Sequence, residues 1–261
     1  MDHHIDLTHI GGPTMVISMG GFRAVTDPTF DPAGSAYTTP VYTLHKTQGP
    51  ALTPEQIGAL DVALVSHDHH FDNLDRAGRK LLDEVGCVIT TCAGAERLGN
   101  GVVGLQPWEG HELPARDGLT LRVIATPARH GPPGGDRGPV IGFVLEIVGA
   151  ALPIVYVSGD TVLYEGVEEV GRRVKPDVAL LFMGAARVKE VGPAHLTLTA
   201  AEGAHIASDI LPDAAIVPLH FEGWAHFSES RLEIEDAFAR AGLADRLRWP
   251  AAGVPMRVNG R

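Results

Sequence analysis

The chain predicts an α/β sandwich, with sheets inside and helices outside. Three observations carry that reading. Short runs rich in β-branched and apolar residues recur along the whole sequence, at lengths that suit strands. The early runs are joined by a tight glycine turn, as in an antiparallel hairpin, and later ones alternate with helical segments. No Ser- or Gly-rich linker and no short repeat divides the sequence, so one domain is expected over 1–261, built from two similar halves that meet near 130–150. Early hairpins fit a sandwich better than a doubly wound parallel sheet.

The elements follow in order. Met15-Val16-Ile17-Ser18 and Phe22-Arg23-Ala24-Val25-Thr26 flank Gly20-Gly21 and read as a hairpin that Asp27-Pro28 ends. Residues 29–50 hold several Pro and Gly without a clear period and read as a long loop. Val62 to Val65 is a strand, Asp75 to Glu84 a helix and Cys87 to Thr90 another strand. Leu119 to Thr126 alternates apolar and polar residues, as a half-buried strand does. Val140 to Val148 and Ile154 to Ser158 are strands joined by a turn around Gly149. Val178 to Phe182 and Ala215 to Val217 are short buried strands. Between them Thr199 and Glu202 form a capping box for a helix running to about Leu211, and Leu232 to Ala241 is a last amphipathic helix.

Composition narrows the function classes. With 44% hydrophobic and 20% charged residues, the 261-residue chain can bury a substantial core. A net charge of -11, with the 21 Lys and Arg scattered, disfavours nucleic acid, which needs a concentrated basic patch. No apolar run reaches membrane-span length, and Met1-Asp2-His3-His4-Ile5-Asp6 lacks the basic-then-apolar order of a secretory leader. Two cysteines, Cys87 and Cys92, suggest no disulfide framework. The expectation is a soluble cytoplasmic protein that acts on a small molecule, with self-association left open.

The chemistry concentrates after one strand. Ser66-His67-Asp68-His69-His70-Phe71-Asp72-Asn73 directly follows Val62-Ala63-Leu64-Val65. It places three imidazoles and two carboxylates, the ligands that Zn²⁺, Mn²⁺ and Fe²⁺ accept at neutral pH, within six residues. Four other candidates also sit just past apolar runs: Asp27, His130, Asp160 and His220. Read singly, each is equally well a turn residue, a helix cap or a core histidine. Read together, they are groups from distant sequence that strand ends bring to one edge of a sandwich.

The ordered set of a His-rich loop with Asp72, then His130, Asp160 and His220, resembles the metallo-β-lactamase-fold hydrolase superfamily. Thr8-His9-Ile10-Gly11-Gly12-Pro13-Thr14, Thr26-Asp27-Pro28, Gly159-Asp160-Thr161 and Pro218-Leu219-His220-Phe221-Glu222-Gly223-Trp224 look like its lactonase-like and phospholipase D-like branch. The resemblance spans nearly the whole chain. It implies a four-layer αβ/βα sandwich with one or two divalent metals at its edge, zinc first, with manganese or iron as alternatives. Carried over by position, His67, one of His69 or His70, and His130 would hold a first metal. Asp72 and His220 would hold a second, Asp160 would bridge both, and Asp27 would orient a ligand imidazole.

The loop departs from the family's His-x-His-x-Asp-His by one inserted residue and by Asn73 at its end. Asn73 would bind a harder metal weakly, yield its place to the extra histidine, or leave a single-metal site in which Asp72 acts as general base. His195 is a candidate acid or oxyanion contact, and His9 and His226 are candidates for the cleft wall. Arg129, Arg187 and Lys189 are candidates to meet an anion. The reading is a metal-dependent hydrolase of a small ester, lactone or phosphodiester. The alternatives are a non-catalytic metal-binding or ligand-sensing protein with a degraded second site, and an iron-dependent oxidoreductase.

Overall fold

The computed structural model describes residues 4–135 and 137–259; Met1–His3, the start of the stretch read above against a secretory leader, lies outside them. In chain order the strands are β1 (His4–Gly11), β2 (Thr14–Met19), β3 (Phe22–Thr26), β4 (Ala36–Thr38), β5 (Thr43–His45), β6 (Val62–Leu64), β7 (Cys87–Thr91) and β8 (Val102–Leu105). They continue as β9 (Gly110–Glu112), β10 (Thr120–Pro127), β11 (Ile141–Val148), β12 (Val155–Val157), β13 (Val178–Phe182), β14 (Ala215–Leu219) and β15 (Met256–Asn259). The helices are α1 (Pro54–Ile57), α2 (Arg76–Leu81), α3 (Cys92–Leu98), α4 (Glu165–Arg173), α5 (Ala200–His205) and α6 (Arg231–Arg240).

Two sheets pack face to face. One runs β15-β1-β2-β3-β6-β7-β8 and the other β14-β13-β12-β11-β10-β9. Each is antiparallel where hairpins build it and parallel where helices intervene: β3, β6, β7 and β8 are parallel, as are β12, β13 and β14. Between the sheets, Leu7, Ile17 and Phe22 share a core with Leu121, Phe143 and Leu180. Outside, Val167, Val170, Ile234 and Phe238 seat α4 and α6 on the second sheet, while Ile57 and Leu81 join Val16, Val25 and Ala63 of the first. The result is the expected four-layer αβ/βα sandwich. Among the described residues, no helix is long and apolar enough to cross a membrane.

Local chemistry explains most boundaries. The Gly20-Gly21 turn pairs Met19 with Phe22 and Ser18 with Arg23, as the hairpin signal requires. β6 and β13 are buried along their whole length because helices cover one face and the other sheet covers the second. β10 alternates buried and part-exposed residues, as its sequence does. The helix from the Thr199–Glu202 box is α-helical only to His205 and continues in wider π-type turns over Ile206–Ile210. Residues 29–50, expected as loop, contain the small β4–β5 ribbon, with Tyr37 opposite Leu44.

A buried hub fastens that ribbon to the rest. Asp75, the N-cap of α2, accepts from Gly78 N (2.8 Å), Phe30 N (2.9 Å), Asp31 N (2.7 Å) and Lys46 Nζ (2.8 Å). Burial lowers the Lys46 ammonium, and the Asp75 carboxylate opposes that fall. Asp75→Ala should therefore cost about 3–5 kcal/mol, because it strands a buried ammonium and three backbone donors. Chemical denaturation measures this, and a loss below about 1 kcal/mol would refute the hub.

His195 takes a different place from the one its sequence context suggested. Its Nε2 lies 3.2 Å from a Glu202 carboxylate oxygen at the start of α5. The hydrogen bond to Glu202 raises the His195 imidazole, and the bonds from His195 and Thr199 outweigh burial to lower Glu202. The raised histidine stabilises the fold below its ordinary 6.5 and loses that contribution as pH rises through its folded value. The depressed glutamate contributes above its ordinary 4.5 and loses its share as pH falls through its folded value. The pair is thus strongest between those two values. An NMR titration should place His195 above 6.5 in the native chain and nearer 6.5 in Glu202→Gln; an unchanged value would remove the pairing.

Candidate metal centre

Five segments deliver the candidate side chains, and each enters from the C-terminal end of a strand. Asp27 follows β3, residues 67–73 follow β6, His130 follows β10, Asp160 follows β12 and His220 follows β14. These strands run in the same sense within their sheets, so their ends share one edge of the sandwich. The backbone is forced there: Asp27 and His220 hold positive φ of 30° and 54°, a region that side chains other than glycine seldom adopt. The His220 amide is anchored to Gly12 O at 3.0 Å. Gly184 permits the close approach, since a Cβ there would stand 2.5 Å from His220 O and 2.3 Å from the Phe227 ring.

The first cluster is imidazole-rich. His70 Nδ1 lies 2.9 Å from His67 Nε2 and 3.1 Å from His130 Nε2. Asp160 Oδ2 approaches His130 Nε2 at 3.4 Å and His67 Nε2 at 4.0 Å. His130 Nδ1 donates to Leu196 O at 2.8 Å, which leaves the Nε2 lone pair directed at the cluster. Burial, followed by the neighbouring imidazoles, drives His67 and His70 well below the usual histidine range. Burial lowers His130 to about 4. These rings therefore converge as neutral ligands with their nitrogens face to face.

His69 is turned outward by comparison. Its Nε2 donates to Arg137 O at 2.7 Å, although its ring still packs on His67 and His70. The structure thus brings His70, and not His69, to His130.

The second cluster mixes carboxylates with imidazole. His220 Nε2 lies 3.4 Å from Asp72 Oδ2 and 3.5 Å from Asp160 Oδ1. His226, read above as one candidate among several, stands 3.0 Å from Asp72 Oδ2. Burial would raise Asp72, but hydrogen bonds from His220 and His226 outweigh it and hold this carboxyl well below its usual range. Asp160 is the opposite case. Burial, with the Asp72 and Asp27 charges behind it, pushes it well above the usual range against a smaller opposing influence of the Asn73 amide. Neither of its oxygens has a partner in hydrogen-bond geometry among the described residues.

Asn73 Nδ2 donates to Asp27 Oδ2 at 3.3 Å, while its buried Oδ1 has no partner. Asp27 itself holds the loop and no imidazole: Ser66 N donates to its Oδ1 at 2.6 Å. The expected imidazole-orienting role is thus replaced by a grip on the loop backbone and Asn73. Burial lifts Asp27 to about 7 against those two bonds.

Such a donor set fits divalent metal ions. Three neutral imidazoles, a carboxylate stripped of donors and an orphaned amide oxygen are costly when buried alone and favourable around a cation. Three-residue groups with ligand atoms mutually within 4.8 Å are His67, His130 and Asp160, then Asp72, Asp160 and His220, and also His67, His69 and His70. Asp160 belongs to both of the mixed groups, one oxygen facing each.

A narrow cavity of about 20 Å³ opens beside His70, Asp72 and His130, with Tyr42, Arg137 and His226 also in its wall. His195, Arg129, Arg187 and Lys189 do not line it. Arg129 stacks on Tyr164 at 4.4 Å instead. Sequence reading missed Tyr42 and Arg137, because neither follows a strand that carries a ligand candidate. A much larger hollow, about 770 Å³, lies at the far end of the sheets around Gly20, Phe22 and Leu152, away from every candidate ligand.

Comparisons with known proteins show the family and the fold. The model of the beta-lactamase superfamily domain matches residues 23–221. A UPF0173 metal-dependent hydrolase from Caldivirga maquilingensis is 31% identical over 172 residues, covering 65% of this chain and 68% of the relative. Another, from Pyrobaculum arsenaticum, is 28% identical over 245 residues, covering 91% and 92%. Among solved structures, the isothiocyanate hydrolase from Delia radicum gut bacteria superposes with a TM-score of 0.82 at 22% identity, over 98% of this chain and 100% of that one. Igni18, a metallo hydrolase from Ignicoccus hospitalis, gives 0.72 at 21% identity, over 99% and 100%. The chain therefore belongs to the beta-lactamase superfamily domain family and is a metal-dependent hydrolase of the metallo-β-lactamase fold.

Proposed function

We propose that the chain hydrolyses a small ester or lactone with two divalent metal ions at this sheet edge. The observation that carries the reading is Asp160, a buried carboxylate without a hydrogen-bond donor that offers one oxygen to each cluster. His67, His70, His130 and Asp160 would hold the first ion, and the imidazole-rich set suits zinc. Asp72, Asp160 and His220 would hold the second, with Asn73 Oδ1 as a neutral fourth ligand that tolerates manganese or iron as well as zinc. When bound, such ions supply Lewis acidity and a water acidified to neutral pH.

The protein's own groups prepare that chemistry. Leu196 O fixes the His130 tautomer, and Asp27 holds the loop that carries His67 and His70. His220 and His226 keep Asp72 ionised. Asp72, set between His220 and His226, is assigned to the second ion. With His195 paired to Glu202, the structure supplies no support for it as the acid. The cavity walls contributed by Leu44, Val188 and Leu196 exclude water and bulk. Among the described residues of that wall Leu44, Val188 and Leu196 give an aliphatic face beside the single arginine, which suits a small acyl substrate.

The test is a rate panel on metal-loaded protein: a short-chain ester, a small lactone, a phosphodiester and an isothiocyanate, the last because the structural neighbour's name carries it. Ester or lactone turnover should fall to background on chelation and return with Zn²⁺ or Mn²⁺. Asp160→Ala should lower it at least about a hundredfold, more than loss of a ligand's outer partner would. Turnover indifferent to chelation and to Asp160→Ala would sink the proposal, and turnover of the phosphodiester alone would replace the substrate class.

A further inference from the structure

We propose that Arg137, with Tyr42 beside it, selects substrates carrying a carboxylate a short chain away from the scissile carbonyl. This deepens the hydrolase reading above and rests on it. Among the described residues lining the cavity by His70, Asp72 and His130, Arg137 is the one cation and Tyr42 the one hydroxyl; Leu44, Val188 and Leu196 are aliphatic. A cavity of about 20 Å³ is close to the space of a single water, so only a slim reacting group enters and the remainder of the substrate meets the wall. The chain carries a net charge of -11, so a carboxylate at the far end of a substrate from the reacting carbonyl gains from a fixed cation in the wall.

Arg137 is built into place. Its backbone N–H donates to His130 O at 2.8 Å, and its carbonyl accepts from His69 Nε2 at 2.7 Å. Residue 137 is thereby clamped to two segments of the candidate centre. Its Nε and Nη2 both donate to Gly135 O, at 3.1 and 2.6 Å, which fixes the plane of the guanidinium. The Nη1–Nη2 edge keeps donors for a planar carboxylate, the geometry in which arginine binds bidentately. This gives the extra histidine of the loop a purpose: His69 positions the arginine.

The turn that carries Tyr42 is closed at its backbone: the Tyr42 N–H donates to Thr39 Oγ1 at 3.0 Å, and its carbonyl accepts from Thr39 N at 2.8 Å. The Tyr42 phenol shares the cavity wall with Arg137 and offers the hydroxyl there among the described residues. A single arginine beside one phenol offers a planar carboxylate two parallel N–H donors and an O–H donor.

The test compares succinate with butyrate, a dicarboxylate and a monocarboxylate of equal length, by calorimetric titration of metal-loaded protein. Native protein should bind succinate at least about tenfold tighter, which is about 1.4 kcal/mol. Arg137→Gln should erase that margin, Arg137→Lys should keep part of it, and Tyr42→Phe should reduce it about threefold, all with unchanged butyrate binding and metal content. His69→Gln, which leaves the guanidinium intact, should also narrow the margin, and an unchanged margin would remove His69 from the positioning role. Absence of a margin in the native protein, including binding of neither acid, would overturn the inference, as would a margin that survives Arg137→Gln. Metal content, assayed on the same samples, separates this failure from failure of the hydrolase reading.

Discussion

The site depends on one unmet demand, the Asp160 carboxylate. It is buried, both oxygens lack a partner in hydrogen-bond geometry among the described residues, and the Asp72 and Asp27 carboxyls push its pKa upward. Burying a carboxylate without a partner costs several kcal/mol after relaxation, so a protein keeps one only where something compensates. Here the surrounding imidazoles are kept neutral by the same burial and supply little compensating charge. A cation is the compensation that the geometry provides for, and the two clusters exist because Asp160 faces both.

The fold meets this demand by concentrating strain where the ligands enter. Positive φ at Asp27 and His220 turns the chain sharply off β3 and β14, and Gly184 gives up its side chain so that the His220 segment can approach. The long sheets and the core between them hold these corners in place, with Phe143, Leu145 and Leu180 fully buried beneath the edge. The Asp75 hub ties the β4–β5 ribbon to α2, directly behind the metal loop, and so connects the ribbon's Tyr42 region to the same frame. Rigid elements set the ligands, and excursions from those elements set the cavity wall.

Much of this was legible in the sequence. The hairpin at Gly20-Gly21, the buried runs of β6 and β13 and the alternation of β10 are local patterns, and local patterns survive folding when both faces of a sheet are covered. His67, Asp72, His130, Asp160 and His220 stood out as candidates because each lies in a loop that leaves an apolar run. The choice between His69 and His70 was not, because an inserted residue shifts the register and only the tertiary contact with His130 decides it. His226, Tyr42 and Arg137 were obscured for the same reason: they reach the site from excursions whose direction no periodicity encodes. His195 misled because it immediately precedes Leu196, whose carbonyl does touch the site, while the imidazole itself turns to Glu202.

The most direct measurement is the number of metal atoms per chain in gently purified protein, by elemental analysis, compared with Asp160→Asn, which keeps the shape of the side chain and removes its charge. A carboxylate shared between two ions predicts about two divalent atoms per chain in the native protein and loss of both on substitution. Full retention in Asp160→Asn, or a native protein that holds no metal after exposure to Zn²⁺, Mn²⁺ and Fe²⁺, would contradict the account.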